Sequence, residues 1–342
     1  MKTMQSKLLL FCVFLLVLFV TATRVNGQLF SYAVIDQQVN DMVYSTTTGM
    51  IYATVPSTGG ANGNHLIVVD PKTKQIVNSV LAGSEPNKIV ITSDGQYLYV
   101  GMDGSASVKR FLVRDLSSDL SFTLGTSSNG ANYVEDIATF PGSPNVVAVS
   151  RRNTCCSPRH EGVAIYNNGV QLATTTPRTN ETNEIEAGDT ANVLYGYNGE
   201  TTDFTYRRLA VDQNGVTIAS SQSQAFGSFN LEIRYSRGRV YSSNGKIVDA
   251  TTGQPVGSFT LGGPARGIAL DKANRRALFV LNSSLMLFSL ETFQPVGSVT
   301  LPAAVSSAAR LIRWGRRGVA YRNSDGRLAV AESLVVTQKG GS

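Results

Sequence analysis

A unit of about 45 residues recurs seven times along this chain, and that repeat limits the fold more than any other feature. Its marker is an aromatic or large apolar residue inside a short β-type run: Tyr52, Tyr99, Val147, Tyr195, Tyr241, Phe279 and Tyr321, at intervals of 47, 48, 48, 46, 38 and 42 residues. The clearest copy is NKIVITSDGQYLYVGMDG, residues 87–104. Ile89 and Ile91 alternate with other residues before the Asp94-Gly95 pair, and Leu98 and Val100 alternate after it. Asp-Gly supplies the positive φ that a tight hairpin turn requires. Each unit continues through a third and a fourth run around a second turn, as in LIVVDPKTKQIVNSV and VAIYNNGVQLATT.

No long amphipathic helical periodicity follows Gln28, and short alternating runs bounded by Gly, Asp, Asn and Pro read as all-β. Four short strands per unit at this period predict the blades of a β-propeller. A two-sheet sandwich does not explain a pattern sustained seven times. The expectation is one seven-bladed domain over residues 28–336, with four-stranded antiparallel blades. The last unit is short, and the strand-like QLFSYAVID precedes the first full one. That segment is expected to complete the last blade, so that both chain ends share one sheet and no edge is left open.

The N-terminus has the layout of a secretory signal peptide: Lys2 and Lys7, an apolar run of 13 residues at 8–20, then Val25-Asn26-Gly27 before a cut that leaves Gln28. That run is shorter than the roughly 18–20 residues that span a bilayer. Residues 1–27 are therefore expected to be cleaved, with no transmembrane segment remaining and the product secreted or extracytoplasmic; a disordered tail is expected at 337–342. The net charge of +6 falls to +3 once Lys2, Lys7 and Arg24 leave. A balance so close to neutral is too weak to argue for nucleic acid, which requires a strongly basic, clustered face, and no nucleic-acid partner is expected.

The segment EPNKIVITSDGQYLYVG resembles the repeat of YVTN-type seven-bladed propellers, whose relatives include quinoprotein-like and lactonase-like proteins. The likeness is strong at residues 86–101 and degenerate elsewhere. It implies the fold and little of the chemistry, because members of that superfamily bind, scaffold or catalyse. Quinone-binding propellers of the alcohol-dehydrogenase type carry repeated tryptophan docking signatures, whereas Trp314 is the sole tryptophan here, so no cofactor is indicated.

In a propeller the first strand of each unit lines a central channel. Aligning the units places Asn40, Asn87, Glu135, Asn183, Asn230, Arg266 and Arg310 at the start of those strands, spaced by 47, 48, 48, 47, 36 and 44 residues, with Asp41, Asp136 and Glu184 adjacent. Convergent amides, a carboxylate and two guanidiniums suit a polar or anionic ligand. The plainer alternative is that Asn and Asp satisfy turn backbone before each strand. Glu135, Asn183 and Asn230 are also compatible with a lactonase-like set of ligands.

Cys155 and Cys156 are the only cysteines beyond Cys12 and are expected to bond to each other, stiffening the RRNTCCSPRHEG loop of an extracytoplasmic protein. His65 and His160 stand far apart, with no metal-binding spacing, so no metal is indicated. No GxSxG nucleophile elbow is present. Asn180 and Asn282 begin glycosylation triplets. The run Arg310, Arg313, Arg316, Arg317 and Arg322 is either an exposed strand pair or a patch for anionic glycan or lipid headgroups. The expectation is a binding or interaction module acting through the channel mouth on a protein, glycan or small polar ligand. The alternatives are a lactonase-like or oxidoreductase-like enzyme and a structural surface protein.

Overall fold

The computed structural model describes residues 25–302 and 310–336. The apolar run at 8–20 on which the expected signal peptide rests, Cys12 and the tail at 337–342 lie outside the described residues. Seven four-stranded antiparallel sheets are arranged as blades, each running outward from the channel in chain order. Blade 1, for example, takes Met42–Tyr44, Ile51–Thr54, His65–Asp70 and Gln75–Leu81 from inside to outside. The hairpin expected at Asp94-Gly95 joins Pro86–Ile91 to Tyr97–Met102, with Gly95 at φ +72°.

The second strand of each blade, as in Tyr97–Met102, carries apolar residues on both faces, because each blade packs against two others. The described residues contain seven hydrophobic cores, one between every pair of adjacent blades. All seven marker residues of the repeat are buried in these cores. The marker recurs because the second strand of each unit lies between two packed sheets and buries a large side chain against one of them.

The ring closes as the sequence implies. Blade 7 takes Leu311–Trp314, Gly318–Arg322 and Arg327–Ser333 from the end of the chain, and its outermost strand is Leu29–Gln38, paired antiparallel from Leu29 with Ser333 to Gln38 with Arg327. A further short strand, Val25–Gly27, runs parallel to Pro295–Thr300 at the outer edge of blade 6. That short strand falls within the segment expected from the sequence to be cleaved, whereas the closing strand falls beyond it. Among the described residues no helix is long and apolar enough to cross a membrane.

The connections on one face differ in length around the ring. The second and third strands of blades 5 and 6 are joined by residues 243–245 and 282–283, whereas blades 1, 3 and 4 use residues 55–64, 153–159 and 198–205. Strand direction puts these loops on the face where the channel-lining strands begin. That mouth is consequently overhung on the side of blades 1, 3 and 4 and open over blades 5 and 6.

Candidate functional site

The innermost strand of every blade is a sheet edge whose backbone N–H groups have no further strand to meet. Acidic side chains of the preceding blade supply the acceptors. Asp41 Oδ2 accepts from Ile89 N (3.2 Å), Asp136 Oδ2 from Ile185 N (2.9 Å) and Glu232 Oε2 from Ile268 N (3.3 Å). Glu186 Oε1, deeper in the channel, accepts from Tyr235 N (3.3 Å). Two cations complete this layer. Lys88 Nζ lies 3.7 Å from Asp136 Oδ1, and Arg310 lies between Asp41 and Glu232 at 2.9 and 3.8 Å. The Arg310 Nε–H is close to Asp41 without being aimed at it, so the contact is an ion pair and no hydrogen bond forms at that nitrogen.

Burial works against the charge of Lys88 and Arg310, yet the surrounding carboxylates outweigh it and hold both firmly protonated. Glu184 behaves oppositely. Burial first, then Asp136 and Glu232, push its carboxyl up to about 8 against the pull of Lys88. A glutamate with a raised folded-state pKa holds a proton that the unfolded chain has released, so stability falls as pH rises from about 4.5 towards 8. Glu135 and Glu186 are raised by burial in the same direction. Glu184→Gln is therefore expected to reduce the loss of melting temperature between pH 5.5 and 8.5 by several degrees. An unchanged pH dependence in thermal melts of the variant would show that Glu184 is ionised throughout.

The outer layer of the mouth lies one residue earlier in each strand. Asn40, Asn87, Glu135, Asn183 and Arg266 occupy it in register. Residue-type alignment misplaced the other two. Leu231 fills the blade 5 position, with Asn230 in the preceding turn at φ +53°, and Arg310 belongs to the charged layer below. The reading of asparagine as a satisfier of backbone holds for Asn40, which donates to Pro86 O across a blade boundary (2.8 Å), and for Asn230, which adopts the left-handed turn conformation asparagine tolerates.

The structure divides the seven sequence-identified residues into two groups. Asn40, Asn87, Asn230, Arg266 and Arg310 line one cavity of about 730 Å3. Glu135 and Asn183 do not line it and are held in a polar chain under the overhanging loops. From Asn87 the contacts run to Asp103 (2.7 Å), Arg152 (2.9 Å), Glu135 (3.1 Å), Arg159 (3.5 Å), Glu200 (2.8 Å) and Asn183 (2.9 Å). The sequence reading missed Asp103, Arg152, Arg159 and Glu200. Asp103 and Glu200 stand just after the second strands of blades 2 and 4, Arg152 ends that strand in blade 3, and Arg159 closes the loop that follows it.

Cys155 and Cys156 are joined to each other on this same overhang. The loop is built around buried Asn153, whose Oδ1 accepts from both cysteine N–H groups and whose Nδ2 donates to Glu161. His160 is fully buried, and burial followed by Arg207 and Arg151 pushes its imidazole down to about 3. Among the described residues no three His, Cys, Asp or Glu side chains are grouped to hold a metal. Asn180 and Asn282 also lie in mouth-face loops, and the exposed Asn282 brings its Oδ1 within 3.5 Å of Arg266 Nε.

Arg266 differs in its pairing from most other cations here. Arg152, Arg159, Arg234 and Arg310 are each paired with a carboxylate, and Lys88 has Asp136. Arg266 lines the cavity with no carboxylate within 4 Å among the described residues. Beside it stand Pro264 and Ala265, and across the turn Phe229 is 48 % exposed, its ring edge-on to Phe204 at 4.7 Å.

No family model matches the chain, and no curated protein matches it in sequence. Among solved structures it is similar to hydrazine synthase of Kuenenia stuttgartiensis, with 13 % identity, a TM-score of 0.67, and 90 % of this chain and 99 % of that chain covered. It is also similar to the β-propeller domain of Cps50 (Swd1) of Myceliophteria thermophila, with 11 % identity, the same TM-score and the same coverage. Likeness at these identities carries the architecture, and the chain is a seven-bladed β-propeller.

Proposed function

We propose that this protein is a secreted, YVTN-type propeller that binds an anionic small molecule at the open half of its channel mouth. The single observation that carries this reading is Arg266, a guanidinium with no carboxylate within 4 Å among the described residues, in a 730 Å3 cavity that also exposes Phe229. Cavities of this size accommodate ligands of drug-like dimensions. The one side-chain hydrogen bond of Arg266 among the described residues is a long one from Nε to the amide oxygen of Asn282, so its terminal nitrogens are available to a carboxylate or phosphate. Arg310 is already engaged by Asp41 and Glu232, so its role is to hold the floor of the site rather than to meet the ligand. The lactonase-like reading is less favoured, because Glu135 is taken up by Arg152 and Arg159 and Asn183 by Glu200. Secretion is supported by the N-terminal sequence and by the cysteine pair.

The test uses 2-naphthoate as an aromatic carboxylate probe, titrated calorimetrically. Arg266→Ala is expected to weaken its binding at least tenfold, the loss of one charge-assisted hydrogen bond being about 1.5–3 kcal/mol. The variant should melt as the parent does, since the side chain faces water. Equal affinity in parent and variant, or no binding by the parent, would remove this site from consideration.

A further inference from the structure

On the face opposite the mouth, the turns between first and second strands change character halfway round the ring. Those of blades 1 to 4, residues 45–50, 92–96, 141–142 and 188–192, contain no lysine or arginine and include Asp94 and Asp189. Those of blades 5, 6 and 7 carry Arg237 and Arg239, Lys272 and Arg275, and Arg316 and Arg317. Three consecutive blades thus present an unbroken basic arc. The overall charge of the chain hides it, because the opposing acids lie elsewhere.

Between blades 5 and 6 the arc deepens into a cleft of about 250 Å3, lined by Arg237, Arg239, Lys272 and Arg275. Glu291 is the one carboxylate in its lining, and it is ion-paired with Arg275. Arg239 is held in place by a hydrogen bond to Leu290 O (3.2 Å) and by the Phe293 ring 5.2 Å away. Arg237 and Lys272 are exposed and have no carboxylate within 4 Å among the described residues. Asp271, at the base of the blade 6 turn, is neutralised from behind by Arg313 at 2.9 Å. The run of arginines noted in the sequence is consequently divided. Arg310 serves the mouth and Arg313 an inter-blade bond, while Arg316 and Arg317 extend the arc.

We propose that this arc docks a sulfated polysaccharide. Arginines on successive rigid turns match a chain that repeats its anionic groups, and a guanidinium can donate two N–H bonds to a pair of oxygens on one tetrahedral sulfate. Insertion into lipid is disfavoured, because none of the large exposed apolar side chains (Val34, Val77, Leu81, Val170, Phe229, Val256 and Leu334) lies on these three turns. Stacking on nucleic-acid bases needs exposed aromatic residues, and these turns carry none.

The test compares retention on immobilised heparin near physiological salt, where screening still permits close multivalent contacts. The parent is expected to be retained. Arg237→Glu with Lys272→Glu should lower affinity at least tenfold in anisotropy titrations of labelled heparin. Lys72→Glu with Lys74→Glu makes the same change in net charge on the same face at blade 1 and should leave affinity within twofold. Melting curves confirm folding, and the milder pair Lys272→Gln with Arg316→Gln replaces the first if it melts early. The proposal is overturned by a parent that is not retained, by equal losses in the two charge-reversed pairs, or by binding to phosphatidylserine vesicles or duplex DNA without binding to heparin. None of these outcomes bears on the mouth, which lies on the other face.

Discussion

Deleting residues 28–36 is expected to abolish cooperative folding of the whole ring. Leu29–Gln38 is the outer strand of blade 7 and pairs along Arg327–Ser333, so its loss leaves that strand as a bare edge. Leu29 and Tyr32 also pack on the core between blades 6 and 7, and Ile35 on the core between blades 7 and 1. Several ladder hydrogen bonds at about 1 kcal/mol each, with the apolar burial added, approach the 5–15 kcal/mol that holds a typical domain together. The truncated chain should show a collapsed melting transition and associate in size-exclusion chromatography, because the edge invites pairing with another copy. A synthetic peptide of residues 28–38 supplied during refolding should restore the transition by adding the missing strand. An unchanged melting temperature without the peptide would contradict the closure.

Asp41→Ala is expected to cost about 3–5 kcal/mol, the usual consequence of removing one partner from a buried ion pair. Asp41 accepts from Met42 N and from Ile89 N, and it faces Arg310 at 2.9 Å. The substitution leaves two inner-strand N–H groups unsatisfied and a guanidinium with only the more distant Glu232. Chemical denaturation should show the loss as a lower midpoint without a change in slope. Adding Arg310→Met should recover part of it, since the uncompensated charge then disappears. Full additivity of the two substitutions would show that the residues do not interact. This network is the reason Arg310 is assigned to the scaffold of the site and Arg266 to its contact with a ligand.

Much of the architecture was legible because it repeats. Tyr52, Tyr99 and Tyr321 mark wedges that must each be filled, and the Asp94-Gly95 hairpin is dictated by backbone conformation alone. The site was legible only where the repeat kept its length. Asn40, Asn87, Glu135, Asn183 and Arg266 fall in register, but blades 5 and 7 shift by one residue, and alignment by polarity chose Asn230 over Leu231 and placed Arg310 one layer too high. Sequence could not show that Glu135 and Asn183 are already bonded, because Arg159 and Glu200 reach them from the long loops between the second and third strands of their blades, 24 and 17 residues further along the chain. The asymmetry of the mouth was present in the numbers, however. The drop from intervals near 48 to one of 38 combines the short connection 243–245, which helps to open blade 5, with shorter third and fourth strands in that blade.

The closing strand also sets an order of events for the molecule's birth. Leu29 is made near the start of synthesis, and its neighbour Ser333 emerges about 300 residues later. At the usual rates of roughly 5–20 residues per second, the first strand waits on the order of 15–60 seconds for its place in a sheet. Blades 1 to 6 can stack in sequence during that time, but the wedges on either side of blade 7 cannot. Until then the chain is an open arc with its leading strand unpaired, and it becomes a ring only after its final turns have followed.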